Sequence, residues 1–282
     1  MKQIQYVLKQ DPNNPVMHRL EGYNNYKLGN YALAAEQLQA FLKDNPEKDH
    51  IYLDYLMLGQ SLIKDKKAIE AVTVLQKATQ AKDAKPESLK ELAAAYDAAD
   101  NFPEEVATYE EYFTKEASPS VYDYFYYGQA CYRAASNYIT PEALNAKLTP
   151  AQQATNDTVF QSFIEKGNAA FDEVISRSPE SYLGYLWKAN LNSFIDAVDQ
   201  SKTGKMPGVA KPYYEDALKI MLEKNENGAR NKDIISAYDY LGKLAYTQGN
   251  TALMGDYYKK IIAIDPANEA AKQVLDALKI KY

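Results

Sequence analysis

The residues of this chain that could do chemistry are few and scattered. Two histidines, His18 and His50, and one cysteine, Cys131, lie far apart. No Cys/His cluster has zinc spacing, so each histidine reads as packing or surface. The stretch Ser201-Lys202-Thr203-Gly204-Lys205 has the end of a phosphate loop. It lacks the upstream glycine that such a loop needs to wrap its backbone N–H groups around a phosphate, and reads as a flexible polar loop. Asp196 and Asp199 fall in the same stretch, without the alternating acidic ligands and distal glutamate of a calcium loop. Asn156-Asp157-Thr158 fits a glycosylation acceptor pattern but reads as polar residues of an inserted loop. Paired carboxylates such as Glu104 and Glu105 arise by chance on a charged helix surface, and acid–base catalysis needs convergence in a pocket. No catalytic residue, metal ligand or cofactor is expected, and the chain reads as a non-enzyme. What stands out instead is 25 tyrosines among 282 residues.

The elements that must carry those tyrosines repeat. A small residue recurs at Gly22, Gly59, Ala93 and Gly128, about 35 residues apart, and then at Ala189 and Gly242 after longer gaps. Four residues before each stands a bulkier side chain, a ring in most cases: His18, Tyr55, Leu89, Tyr124, Tyr185 and Tyr238. That spacing puts both on one helix face. A second helix follows each, marked by trios on one face. Ala34, Leu38 and Phe41 form the first trio, and Ala71, Leu75 and Ala78 the second. Glu105, Tyr109 and Tyr112 follow, then Gly167, Phe171 and Val174. The last two are Ala210, Tyr214 and Ala217, and Met254, Tyr258 and Ile261. Pro46, Pro179 and Pro266 end helices, because proline cannot continue one. Strand signals are nearly absent. The expected packing places a large residue of one hairpin in the gap left by the small residue of its neighbour, so that stability comes from stacking.

This pattern resembles the tetratricopeptide repeat (TPR), best at Tyr55-Leu58-Gly59-Ala71-Leu75-Ala78 and Tyr238-Leu241-Gly242-Tyr258-Pro266. Glu105, Gly167 and Met254 depart from the usual alanine, and Glu21 and Lys188 from the usual leucine. The resemblance implies an all-α, right-handed TPR-like α-solenoid of about six helix hairpins plus a C-terminal capping helix. The expected layout is a single array over 1–282. Residues 1–14 would be the remnant second helix of a preceding repeat. The hairpins would be 15–46, 51–83, 86–118, 119–179 with an insertion at 136–160, 180–226 with a loop insertion at 196–208, and 231–266. Residues 268–282 would form the cap. Thr140-Pro141 and Thr149-Pro150 each read as a helix start, predicting two short helical pieces in the insertion. Because residues 4 to 12 match the spacing of a second helix, the chain is expected to be a fragment of a longer protein. Gly208 to Glu215 also resembles a segment of bacterial envelope-associated TPR proteins, which implies a periplasmic or envelope location.

In TPR arrays the first helices line a concave groove that takes a peptide or partner helix. By position, the resemblance assigns Arg19, Tyr23 and Tyr26 to that groove, followed by Gln60 and Asp97. Tyr122, Phe125, Gln129 and Tyr132 follow from the fourth repeat, then Asn190, and finally Asp239, Lys243 and Tyr246. The fourth repeat is expected to be the centre. Its spacing puts Tyr124, Tyr127 and Cys131 on the stacking face, and Phe125 and Tyr132 on a neighbouring face whose truncation would spare stability. The expected function is a protein-interaction module or scaffold for a protein or peptide. The alternative is a small-ligand or glycan-binding envelope protein. The formal charge of −6 argues against nucleic acid. Apolar runs of only a few residues argue against membrane insertion.

Overall fold

A computed structural model describes residues 1–282. The chain divides into two compact units, 1–119 and 120–282. The first holds α1 (Lys2–Gln10), α2 (Pro15–Lys27), α3 (Tyr31–Asp44), α4 (Tyr52–Lys64), α5 (Ala68–Gln80), α6 (Glu87–Ala98) and α7 (Phe102–Lys115). The second holds α8 (Val121–Ser136), α9 (Pro141–Leu144), α10 (Pro150–Arg177), α11 (Tyr182–Thr203), α12 (Lys211–Glu223), α13 (Asn231–Thr247), α14 (Thr251–Ile264) and α15 (Glu269–Ala277). The structure is all-α, and its helices pair as α2/α3, α4/α5, α6/α7, α8/α10, α11/α12 and α13/α14.

Local chemistry explains the boundaries. The Asn14 side chain accepts the Met17 N–H, and Pro15 opens α2 where its missing N–H is not needed. Ser120 with Asp123, and Thr149 with Gln152, form capping boxes that satisfy the free N–H groups opening α8 and α10. Four hairpin turns share one device. A single left-handed residue, Gly29, Lys66, Asp100 or Gly249, follows the first helix. The next N–H then bonds back to a carbonyl of that helix, as Asn30 to Asn25 and Asn101 to Tyr96, both at 2.9 Å. Only two of these positions are glycine, so only two carry a sequence signal.

The helices of a hairpin meet where the small residue sits. A Cβ on Gly22 would stand 2.6 Å from Leu38 Cγ, one on Gly128 2.5 Å from Phe171 Cε1, and one on Gly242 2.7 Å from Tyr258 Cε2. Gly59 is closed off in the same way by Leu75. The large residue therefore comes from the second helix of the same hairpin, and the expectation that it comes from a neighbouring hairpin is corrected. The marker trios are buried, apart from Met254, and Gly167 is pressed against Leu191 and Cys131. Stacking between hairpins adds the next layer, as where the hydroxyl of the buried Tyr96 of α6 accepts from the Gln76 side chain of α5 at 3.0 Å.

Two expectations about the insertions change. Thr149-Pro150 opens a 28-residue helix that runs unbroken to Arg177, not a short piece. The expected loop at 196–208 is helical as far as Thr203, with Gly204 (φ 76) closing α11. The two extensions cover one another. Val198, Ser201 and Lys202 of α11 border the same small cavity of about 130 Å³ as Tyr138, Leu144 and Phe160. The polar run 199–205 misled because its apolar partners lie in the other insertion. α15 is shorter than expected, with Ala271 and Leu275 buried and Lys272 paired to Glu269 at 2.8 Å.

Gly128→Ala should test the close approach. Helix propensity alone would raise stability by about 1 kcal/mol, whereas overpacking against Phe171 costs about 1–3 kcal/mol. The expected net result is a lower urea midpoint with an unchanged slope.

Candidate functional site

In the first unit, Arg19 and Tyr23 of α2 converge on Asp54, which is fully buried at the start of α4. The Tyr23 hydroxyl donates to Asp54 Oδ1 at 2.5 Å, and Arg19 Nη2 donates to Asp54 Oδ2 at 3.0 Å and to the Asp49 carbonyl at 2.6 Å. Arg19 Nε stands 2.8 Å from Oδ1 as an ion pair, without hydrogen-bond alignment. The guanidinium also lies over the Phe41 ring, 4.6 Å from its centroid. Asp54 in turn accepts the Ile51 N–H, so one carboxylate caps α4 and ties it to the preceding hairpin. Arg19 and Tyr23 are thus engaged between hairpins. Tyr26 is half-buried, edge-on to Tyr31 at 5.6 Å. Gln60 keeps a buried amide oxygen without a partner, and Asp97 is half-buried.

In the second unit the aromatic residues of α8 and α11 form one cluster. Phe125 meets Tyr126, Trp187 and Phe171 at 6.0, 6.1 and 6.5 Å. Tyr132 meets Trp187 edge-on at 5.2 Å and stacks on Phe194 at 4.6 Å. Phe125 and Tyr132 are therefore half-buried packing residues as well as face residues. The expectation that their truncation spares stability is corrected, because Trp187 and Phe194 of the next hairpin pack on them, together with Phe171 of their own. Tyr122 and Tyr126, at 68% and 50% exposure, are the open rings of α8. Tyr126 was not singled out by position, although it lies one turn from Tyr122.

Around this cluster stand half-buried polar groups. The Gln129 amide, the Tyr132 hydroxyl and the Trp187 indole N–H make no hydrogen bond within the chain. Asn190 accepts the Tyr214 hydroxyl at 2.8 Å through Oδ1, which leaves its amide nitrogen free to donate. On α13, Asp239 accepts from the Tyr258 hydroxyl at 2.9 Å and pairs with Lys243 at 2.6 Å, while Tyr246 is 60% exposed. No helix is long and apolar enough to cross a membrane.

No protein-family model matches the chain, and no curated protein matches its sequence. Solved structures do match in shape. The C-terminal part of a TPR repeat-containing protein from Cytophaga hutchinsonii is 19% identical, with a TM-score of 0.70 over 97% of this chain and 92% of that one. The chain has the tetratricopeptide-repeat fold. MamA from Desulfovibrio magneticus aligns at 9% identity and a TM-score of 0.52, over 77% of this chain and 97% of that one. Human IFIT1, solved as a dimer with m7Gppp-AAAA, aligns at 15% identity and a TM-score of 0.50, over 98% of this chain and 57% of that one.

Within the TPR frame, the least foreseen feature is Asp196. It is fully buried and accepts the N–H groups of Gly208, Val209 and Ala210 at 2.6, 2.9 and 3.0 Å. It also accepts the Tyr240 hydroxyl at 2.5 Å. One carboxylate thereby holds the 204–210 segment and joins α11 to α13. Burial, reinforced by the bond to a carboxylate, pushes the Tyr23 and Tyr240 phenols well above the ordinary tyrosine range. Burial and the neighbouring Asp239 do the same to Tyr258, and burial alone dominates at Tyr214.

Two outcomes follow. Asp196→Asn replaces an all-acceptor group by one whose NH₂ faces donors, and should lower unfolding free energy by about 3 kcal/mol in urea titrations. The raised phenols keep their protons in the folded state, whereas an unfolded tyrosine releases its proton near 10.0. Their stabilising contribution is complete below that pH and is lost as pH rises through the folded values. Unfolding free energy should therefore fall above about pH 10, and Tyr240→Phe should make that fall shallower.

Proposed function

We propose that this chain is a protein-interaction module that holds an extended segment of a partner protein on the α8–α11 face of its second unit. The observation that carries this reading is the company kept by Tyr122 and Tyr126. Two open rings stand beside half-buried amide, phenol and indole groups that have no hydrogen-bond partner in the chain. These polar atoms are not shut away from solvent, so they are open to a ligand. An extended backbone offers alternating N–H and C=O groups at the spacing such groups can use, with side chains free to lie on the rings. Tyrosine suits the purpose, having a large apolar face, a polar tip and few rotamers to freeze. Arg19 and Tyr23, already bound to Asp54, serve stability more than recognition in this reading. IFIT1 shares the fold while holding a capped RNA oligonucleotide. In this chain a charge of −6 supplies no phosphate-neutralising excess, which favours a polypeptide ligand.

Selection of a random peptide library on the full chain tests this. Selected peptides should lose about 2 kcal/mol of binding for each of Tyr122→Ala and Tyr126→Ala, roughly thirtyfold apiece. The exposed positions predict a melting temperature that barely moves. Phe125→Ala should cost about 3 kcal/mol of stability instead. Failure to select any peptide, or equal affinity for the Tyr122→Ala/Tyr126→Ala variant, would overturn the reading.

A further inference from the structure

The first unit carries a second, chemically different recess at the ends of α3, α4 and α5. It has a volume of about 840 Å³ and is lined by Lys48, Lys77 and Lys82 together with His50, Tyr55 and Ile51. A neighbouring recess of about 360 Å³ shares His50, Tyr55 and Lys77 and adds an apolar wall of Leu42 and Val74. None of the candidate face residues lines either one. We propose that this recess binds a small multivalent oxyanion.

Three observations carry the proposal. First, Lys48, Lys77 and Lys82 make no ion pair or hydrogen bond within the chain, although this chain pairs many of its other cations. Three ammonium groups around one recess repel each other until an anion joins them. Second, the acids on the rim do not cancel them. Glu47 and Asp83, the latter held by the Tyr52 N–H at 3.0 Å, stand against three lysines, so the lining keeps a net positive charge. Third, the wall is built rather than fluid. The Asn45 carbonyl can only accept, so His50 donates Nε2–H to it at 3.0 Å. In the neutral ring Nδ1 then accepts from the Tyr55 hydroxyl at 2.9 Å. The imidazole is further packed against Phe41 and Tyr55, with centroids at 6.1 and 5.7 Å. Both donors of this pair are spent within the wall, so the ammonium groups of the three lysines supply the donors of the recess. Lysines act as point charges that suit a phosphate or carboxylate group without demanding a bidentate geometry. The volume lies within the range of small-molecule sites.

The test is titration of the full chain with inorganic tripolyphosphate and, in parallel, with citrate. Calorimetry reads affinity, and the two imidazole signals of the chain report the place. Saturable binding that shifts His50 and leaves His18 unmoved is expected. Lys48→Gln/Lys77→Gln/Lys82→Gln should weaken it about tenfold or more at an unchanged melting temperature. Lys27→Gln/Lys64→Gln/Lys66→Gln, with the same loss of charge elsewhere in the unit, should keep it within about twofold. Binding by tripolyphosphate alone assigns the site to phosphate ligands, and binding by citrate alone to carboxylates. Failure of both anions to bind, or equal weakening in the two triple variants, would overturn the proposal.

Discussion

The structure depends on one close approach repeated along the chain, that of a large side chain on the second helix of a hairpin to a residue without bulk on the first. Leu38 sits on Gly22, Leu75 on Gly59, Phe171 on Gly128 and Tyr258 on Gly242. Each contact sets the approach of its helix pair, because an added Cβ would stand closer to the facing side chain than van der Waals contact allows. With the rotation fixed, the positions one residue beyond the small one are turned off the line of closest approach: Tyr23 reaches Asp54 of the next hairpin and Lys243 pairs with Asp239 on its own helix, while Asn190 reaches back to Tyr214 of its own hairpin.

The abundance of tyrosine has a physical account in the links between helices. Tyr23 donates to Asp54, Tyr182 to Asp233, Tyr240 to Asp196 and Tyr258 to Asp239. Each ring adds apolar contact, and at Asp54 and Asp196 the hydroxyl satisfies a carboxylate that burial would otherwise make costly. Asp54 and Asp196 also cap backbone N–H groups, so these carboxylates are bound from several directions and orient whole segments. Such networks fix one arrangement of the hairpins, where a purely apolar seam would permit sliding.

Much of the repeat layer was legible in the sequence, because it is written at short range. Residue type and helical spacing mark Gly22, Gly59 and Gly128, and Ala34-Leu38-Phe41 identifies the buried side of α3. What stayed hidden needs partners far apart. Asp196 looked like part of a polar loop because the N–H groups it binds come from 208–210 and its phenol from Tyr240. Phe125 and Tyr132 looked like free groove residues because their packing partners, Trp187 and Phe194, come from the next hairpin. Lys66 and Asp100 make the same left-handed turn as Gly29 and Gly249, with no glycine to announce it. Of the rings assigned to the α8 face by spacing, Tyr122 is open and Phe125 is turned into the cluster, while the open Tyr126 was not assigned.

The chain has a single tryptophan, and it lies in that cluster. Trp187 fluorescence therefore reports directly on whether the α8–α11 face is where a partner segment is held. On titration with a selected peptide that has no tryptophan, the account predicts a saturable blue shift of the emission, as the half-exposed indole is covered, with a midpoint equal to the calorimetric Kd. A peptide that binds while the Trp187 emission stays unchanged would place recognition elsewhere and contradict the account.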